Sequence, residues 1–420
     1  MTGFPLESLA MSDAWKAAER AMRRLDELGT FSDDSAGLTR LYLSPAHKAA
    51  ARLVAAWMEH AGMSVEIDAV GNVVGRYAGT DAFAKTLIIG SHIDTVRNAG
   101  KHDGPLGVIV GIEAVAALHA RNIRYPFAIE VVAFGDEEGV RFPVTLTGSR
   151  ALAGTLDPAT LDSADRDGIT IRAALAAFGC SGDVAGVARD RDRVLGYLEV
   201  HIEQGPVLEA ENLPVGAVSA IAGASRAIVK VTGMAGHAGT VPMTLRRDAA
   251  AAAAEMVLAV ERQALETKDL VATVGRIEVR PGAPNVVAGE ALFTVDMRSP
   301  DDAVRRGAFE RLRADCAAIA SRRGVTLAFV QTYDQAAVIC DPRLATLWDD
   351  AMQAQGFRPF RLPSGAGHDG LAMVALCPVS MLFVRCRGGI SHNPAESVKT
   401  DDVEIAIAVL QDMIARLGRT

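Results

Sequence analysis

The sequence predicts an α/β protein in which a small β-α-β-β-α-β domain is inserted into a larger sheet domain. Apolar strand-like runs alternate with helical stretches in the first half. A segment of different order follows, and the alternation resumes near the C-terminus.

Residues 14–28 carry apolar side chains at helical spacing. Ser44-Pro45 reads as an N-cap with proline at the first helical position, and Gly62 as that helix's stop. Strand-like runs cover 63–67, 73–77, 86–89 and 128–134, and a helix at 106–120 separates the last two. This alternation predicts a sheet covered on both faces. Residues 148–193, rich in Ala and Asp, predict short helices and loops, and a strand at 197–201 rejoins the sheet. A strand at 227–231 then precedes a long alanine-rich helix at 243–265. Strands at 272–279 and 291–297, a helix at 301–323 and a strand at 325–330 complete a ferredoxin-like order. A helix at 342–355, a strand at 379–384 and a helix at 402–417 resume the first pattern. The expected division is 1–217 with 334–420 for the larger domain and 218–333 for the insertion.

The length of 420 residues suits two domains. A composition 50% hydrophobic and 22% charged excludes a disordered, collagen-like or coiled-coil chain. Lys and Arg number 43 against 51 Asp and Glu, a net charge of −8 and a poor match to a nucleic-acid binder. Cys180, Cys316, Cys340, Cys377 and Cys386 are scattered without Cys-x-x-Cys spacing, so neither a disulfide framework nor a thiolate metal site is indicated. Met1 to Met11 lacks the basic and apolar regions of a signal peptide. No apolar run reaches the roughly 18 residues of a membrane span. A soluble, cytoplasmic protein with reduced thiols is expected, with neither nucleic acid nor membrane as partner.

Five of the nine histidines lie in short runs with acidic or glycine neighbours. His92 ends an apolar strand, at the edge where α/β sheets place ligands. Asp94, two residues on, would face the same side and hold the imidazole through its other nitrogen. Glu137 and Glu138 follow another apolar strand, and adjacent carboxylates repel unless a cation or proton intervenes. His201 ends a third strand beside Glu203 and Gln204, and His392 lies in a Gly- and Pro-bounded loop after a fourth. Singly, these also read as a strand-end histidine, an acidic turn, a core histidine and a surface loop. Jointly they place imidazole and carboxylate at successive strand ends. Such a set, without thiolate, suits zinc, manganese or cobalt. A nucleotide-dependent enzyme, which needs a Gly-rich phosphate loop after a strand, is not expected.

Over nearly its whole length the sequence resembles the two-metal amidohydrolases of the hydantoinase/carbamoylase group, related to aminoacylases and zinc aminopeptidases. The resemblance implies an aminopeptidase-like catalytic domain holding two divalent ions, Zn²⁺ or Mn²⁺. His92 and His201 would bind one ion, Glu138 and His392 the other, and Asp103 both. Glu137 would be the general base. The inserted domain would serve as lid and homodimer interface, with His237 reaching the partner's site to polarise the scissile carbonyl. Asn285 and Arg298 would clamp the substrate, the arginine fork matching a carboxylate. A surface ion pair with Asp296 or Asp301 is the other reading of Arg298. Backbone N–H groups around Gly365 would approach a substrate anion. His368 and Asp369 would be structural supports, and Gln204 has no assigned role.

The group cleaves ureido C–N bonds beside a carboxylate. It includes N-carbamoyl-L-amino acid hydrolases, β-ureidopropionases, allantoate amidohydrolases and ureidoglycolate-type hydrolases. The run Met381-Leu-Phe-Val-Arg-Cys-Arg-Gly-Gly-Ile-Ser-His-Asn-Pro-Ala-Glu396 looks most like allantoate amidohydrolases, as does 236–243. Arg385 and Arg387 would add positive charge near the pocket, or form a basic loop face. The resemblance implies allantoate as substrate, releasing ammonia and carbon dioxide in ureide nitrogen recycling. N-carbamoyl-L-amino acids or N-carbamoyl-β-alanine are the alternative, ahead of acylamino acids and peptides.

Overall fold

The computed structural model describes residues 13–81 and 83–419. Met1 to Met11, read above for a leader, lies outside them. The chain divides into two compact units. Of the described residues, one holds those up to Ser219, Cys340–Leu362 and those from Gly367 on; the other holds Ala220–Ile339 and Pro363–Ala366.

The first unit is organised by a mixed sheet. Its four central strands, in spatial order Ala128–Phe134, Thr86–His92, Val194–Ile202 and Val379–Val384, are mutually parallel. Val73–Tyr77 and Val215–Ile221 flank them antiparallel. The central strands are buried almost without a break, as near-continuous apolar runs require when both faces are covered. Parallel pairing brings their carboxyl ends to one edge: His92 lies opposite Phe134, and His201 opposite Phe383. The structure extends the expected strand at 86–89 through His92 and adds Val215–Ile221.

The helix Pro105–Ala120 is apolar nearly all round, because it lies between the sheet and the helices Asp13–Leu28 and Thr400–Leu417. Its one buried acid, Glu113, is paired with Arg20 at 2.5 Å and Arg24 at 2.8 Å from the first helix. Gly107 lets this helix meet the sheet backbone. A Cβ there would lie 1.9 Å from the Val200 carbonyl oxygen.

The second unit has an antiparallel sheet in the order Ile277–Arg280, Glu290–Ser299, Gly223–Thr232, Thr326–Gln335, with Val271–Thr273 also paired to Glu290–Ser299. Helices Ala249–Glu266 and Asp302–Arg323 cover one face, so buried and exposed residues alternate along Gly223–Thr232. The alanine-rich helix begins at Ala249 rather than 243, because the Asp248 side chain accepts the Ala250 and Ala251 N–H groups. The single strand expected at 272–279 is two, separated around Gly275.

Gly107→Ala should destabilise the first unit by about 1–3 kcal/mol, since the added methyl forces helix and strand apart. Denaturant unfolding of the metal-free protein checks this; a wild-type midpoint would contradict the close contact.

Candidate metal centre

Five chain segments deliver acids and imidazoles to the carboxyl edge of the first unit's sheet. His92 is the last residue of Thr86–His92, and His201 the next to last of Val194–Ile202. Glu137 and Glu138 occupy the bend after Ala128–Phe134. Asp103 lies in the turn before Pro105–Ala120, and His392 in the loop after Val379–Val384, with a left-handed φ of 54°.

Asp103 is the centre of the arrangement. Its Oδ1 lies 3.5 Å from His92 Nε2 and 3.2 Å from His201 Nε2. Its Oδ2 lies 3.3 Å from His392 Nε2, which is 3.6 Å from Glu138 Oε2. The ligand atoms of His92, Asp103 and His201 all lie within 4.8 Å of one another, as do those of Asp103, Glu138 and His392. A third such group joins His92, Glu137 and Glu138. Glu137 Oε2 is 3.9 Å from His92 Nε2. The structure thus brings together six of the sequence-derived site residues.

Backbone carbonyls aim the imidazoles. His92 Nδ1 faces the Asp94 carbonyl at 3.0 Å, and His201 Nδ1 faces that of Ile202 at 2.9 Å. A carbonyl only accepts, so each Nδ1 carries a proton and each Nε2 is turned to Asp103, as a donor when the ring is charged and with a lone pair for a cation when it is neutral. The sequence reading gave the His92 contact to the Asp94 carboxylate, which stands 3.8 Å away. That carboxylate instead accepts the N–H groups of Glu137 and Glu138, each at 3.2 Å, and so shapes the acidic bend. Gly104, at a φ of +81°, closes over the His92 ring, 2.5 Å from where its Cβ would stand.

The electrostatics match this crowding. Burial, together with Glu138 and other nearby acids, pushes the Glu137 carboxyl well above its ordinary range, although His92 opposes the shift. Glu138 is pushed up to about 7 by burial and by Asp103. Burial disfavours a charged His92, yet its hydrogen bond with Asp103 and the surrounding carboxylates hold its pKa well above normal. The residues fit divalent cations: His201 Nε2 is buried without a hydrogen-bond partner among the described residues, and the donors are all imidazole and carboxylate.

Several supporting residues carried no assigned role in the sequence. Gln204 Nε2 donates to Asp103 Oδ2 at 2.7 Å, and the Ser391 hydroxyl donates to the same oxygen. Glu396 accepts the His102 and Asp103 N–H groups at 2.7 and 3.1 Å. Glu199, two residues before His201, accepts Ser91 Oγ at 3.1 Å and the Gly370 N–H at 3.3 Å. Strand alternation from His201 was the signal that could have found it. The His368 ring packs edge-on against His201 with centroids 4.5 Å apart, and Asp369 is fully buried beside it. Arg385 makes a two-pronged pair with Asp402, at 2.9 and 2.6 Å, so its fork is already occupied. Arg387 is exposed. Residues 365–370, Gly-Ala-Gly-His-Asp-Gly, spell G-x-G-x-x-G after a strand. The helix that follows, Gly370–Met373, has only four residues, unlike the long helix of a dinucleotide-binding unit.

The remaining site residues belong to the second unit. His237 and Asn285 adjoin one another on a two-stranded ribbon, where His237 pairs with Val286 and the Ala238 N–H donates to the Asn285 carbonyl at 2.9 Å. Both side chains are exposed to solvent. Arg298 binds Asp296 through Nε and Nη2 at 2.8 and 3.0 Å, and donates Nη1 to the Gly365 carbonyl at 2.8 Å. Arg298 and Gly365 line a cleft of about 710 Å³ with Arg226, Thr273 and Thr294. The ribbon lies beyond the Glu290–Thr232 end of the strand ladder, whereas Arg298 pairs with Ala224 at the other end. Eight residues of strand, roughly 26 Å, separate those ends.

Residues 88–416 match peptidase family M20/M25/M40. The chain is 40% identical to an N-carbamoyl-L-amino acid amidohydrolase of Geobacillus stearothermophilus, over 96% of this chain and 98% of that protein. It is 41% identical to an allantoate deiminase of Arabidopsis thaliana, over 94% and 81%. A crystal structure of a hydantoinase/carbamoylase family amidase from Burkholderia multivorans superposes with a TM-score of 0.90 at 36% identity, covering 95% of this chain and 97% of that one. Fold, acid–imidazole cluster and full-length similarity agree that the chain belongs to peptidase family M20/M25/M40, as a metal-dependent hydrolase of its hydantoinase/carbamoylase branch.

Proposed function

We propose that the protein hydrolyses the ureido C–N bond of a small carboxylate, with allantoate as the preferred substrate. The observation that carries the hydrolytic reading is the pair of ligand groups sharing Asp103, with Glu137 beside them. His92, Asp103 and His201 would hold one divalent ion, and Asp103, Glu138 and His392 a second, zinc or manganese. Bound there, the ions act as Lewis acids and make water nucleophilic at neutral pH. Glu137 accepts the proton of the attacking water and delivers it to the leaving nitrogen. Its burial, which raises its proton affinity, suits it to both transfers.

The allantoate reading rests on residues 381–396 and 236–243 and on the 41% identity to a plant allantoate deiminase. Arg385 adds nothing to it, because Asp402 holds its fork. The second reading, an N-carbamoyl-L-amino acid amidohydrolase, is supported by 40% identity to the Geobacillus enzyme over nearly its whole length. In both, the substrate carboxylate would have to displace Asp296, which holds Arg298 Nε and Nη2 in the ion pair that was the other reading of this arginine, before Arg298 and the backbone N–H at Gly365 could take it.

The same reading includes a homodimer. His237 and Asn285 stand too far along the second unit from Arg298 to grip one small molecule together. A neighbouring copy presenting its ribbon would complete each site, with His237 stabilising the developing oxyanion. The five free cysteines accord with a reducing, cytoplasmic setting.

Glu137→Gln should keep its metal and lose about 10²–10⁴-fold in turnover, because an amide cannot accept the proton. Fully metallated variant within a few-fold of wild type would remove Glu137 from this role. Mixing Glu137→Gln with His237→Ala subunits should restore activity, since a mixed dimer holds one site with both wild-type groups. No recovery after proven subunit exchange would count against the shared site. On a panel of allantoate, N-carbamoyl-L-amino acids, N-carbamoyl-β-alanine and ureidoglycolate, ammonia release should give allantoate the highest kcat/KM. Partners for its second ureido arm would go unpaired with a carbamoyl amino acid, a mismatch worth up to about 10⁴-fold. A higher kcat/KM for any N-carbamoyl-L-amino acid would replace allantoate with the second reading.

A further inference from the structure

We propose that Glu396 is a positioning residue that ties the Asp103 turn to the His392 loop and thereby sets the affinity of the Asp103, Glu138, His392 site for its cation. The inference rests on the two-cation reading above. Glu396 lies 293 residues from Asp103 in sequence, yet its Oε1 accepts both the His102 N–H at 2.7 Å and the Asp103 N–H at 3.1 Å. The Ser391 hydroxyl lies between Asp103 Oδ2 and Glu396 Oε2, the latter 3.3 Å away, and gives its one proton to either. Ser391 precedes His392, so one carboxylate joins the backbone of the Asp103 turn to the side chain beside His392.

The packing leaves this carboxylate little freedom. Glu396 is only 5% exposed, and a Cβ on Gly100 would come within 2.4 Å of its Cβ, Cδ and Oε1. The turn is therefore pressed between Glu396 at Gly100 and the His92 ring at Gly104. The tether acts unequally on the two ligand groups. His92 and His201 are fixed by central strands, so only Asp103 of their group depends on it. In the other group, Asp103 and His392 both sit on tethered loops, and Glu138 alone does not.

The test measures Mn²⁺ binding by chelator competition, with bound-metal stoichiometry, in wild type and in Glu396→Ala, Glu396→Gln and Glu396→Asp. Wild type should bind two ions. Glu396→Ala should weaken one of them by about 10–100-fold while the other changes far less. Glu396→Gln, which keeps an oxygen for the two N–H groups, should recover most of the loss. Two ions held by folded Glu396→Ala within about threefold of wild type would overturn the proposal. Should circular dichroism show that the alanine variant does not fold, Glu396→Asp decides. Its shorter side chain withdraws the carboxylate from the turn, and unchanged affinity for both ions would be equally fatal. Wild type binding fewer than two ions would overturn the two-cation reading itself, a failure visible before any variant is compared.

Discussion

One carboxylate organises the first unit's chemistry. Asp103 faces three imidazoles and two neutral donors from three other stretches of the chain, and each contact requires its partner segment to end where it does. The parallel sheet supplies that coincidence by bringing strand ends to one edge. The Pro105–Ala120 helix supplies the rest: its close seat on the Val200 carbonyl, through Gly107, fixes the height at which Asp103 emerges. An antiparallel arrangement would send alternate strand ends to opposite edges and scatter the same residues.

The centre is also where the fold is least comfortable by itself. Asp94, Asp103, Glu137 and Glu138 lie within one small volume, and burial pushes all four toward protonation, a push that only Asp103, facing its histidines, more than reverses. Cations relieve that repulsion, so ions that bind the folded chain also stabilise it. At a free concentration 100 times the dissociation constant, each ion would contribute about 2.7 kcal/mol. On the proposed reading, stability and activity would share a dependence on metal. Glu113 shows the other way of keeping an acid buried, with two arginines in permanent attendance and no exchangeable partner.

Much of this was legible in the sequence because local pattern and function coincide there. The central strands are continuous apolar runs, and His92 and His201 stand where those runs end, so period and chemistry point to the same residues. Legibility failed where a role depends on partners distant in the chain. Glu396 meets His102 and Asp103 only after nearly the whole protein has folded between them. Arg385 advertised a positive charge near His392, but the first turn of the C-terminal helix supplies Asp402 to take it. The helix start at Ala249 turned on a cap: Met243 and Leu245 extend the apolar pattern back to 243, and the Asp248 side chain's hydrogen bonds set where the helix begins. At Asp94 the correct residue was found with the wrong atom, because its carbonyl approaches His92 Nδ1 to 3.0 Å while its carboxylate, 3.8 Å away, is drawn to the Glu137 and Glu138 N–H groups.

That division of labour within Asp94 has an evolutionary corollary. Its main chain steers an imidazole, a duty any amino acid in that conformation can discharge, while its side chain fastens the Glu137–Glu138 bend. Mutational drift at this codon can therefore reshape the acidic bend while the carbonyl contact to His92 Nδ1 is kept. On the two-cation reading proposed above, a lineage exploring new leaving groups would have in Asp94 a dial for proton transfer that leaves the carbonyl contact to His92 in place.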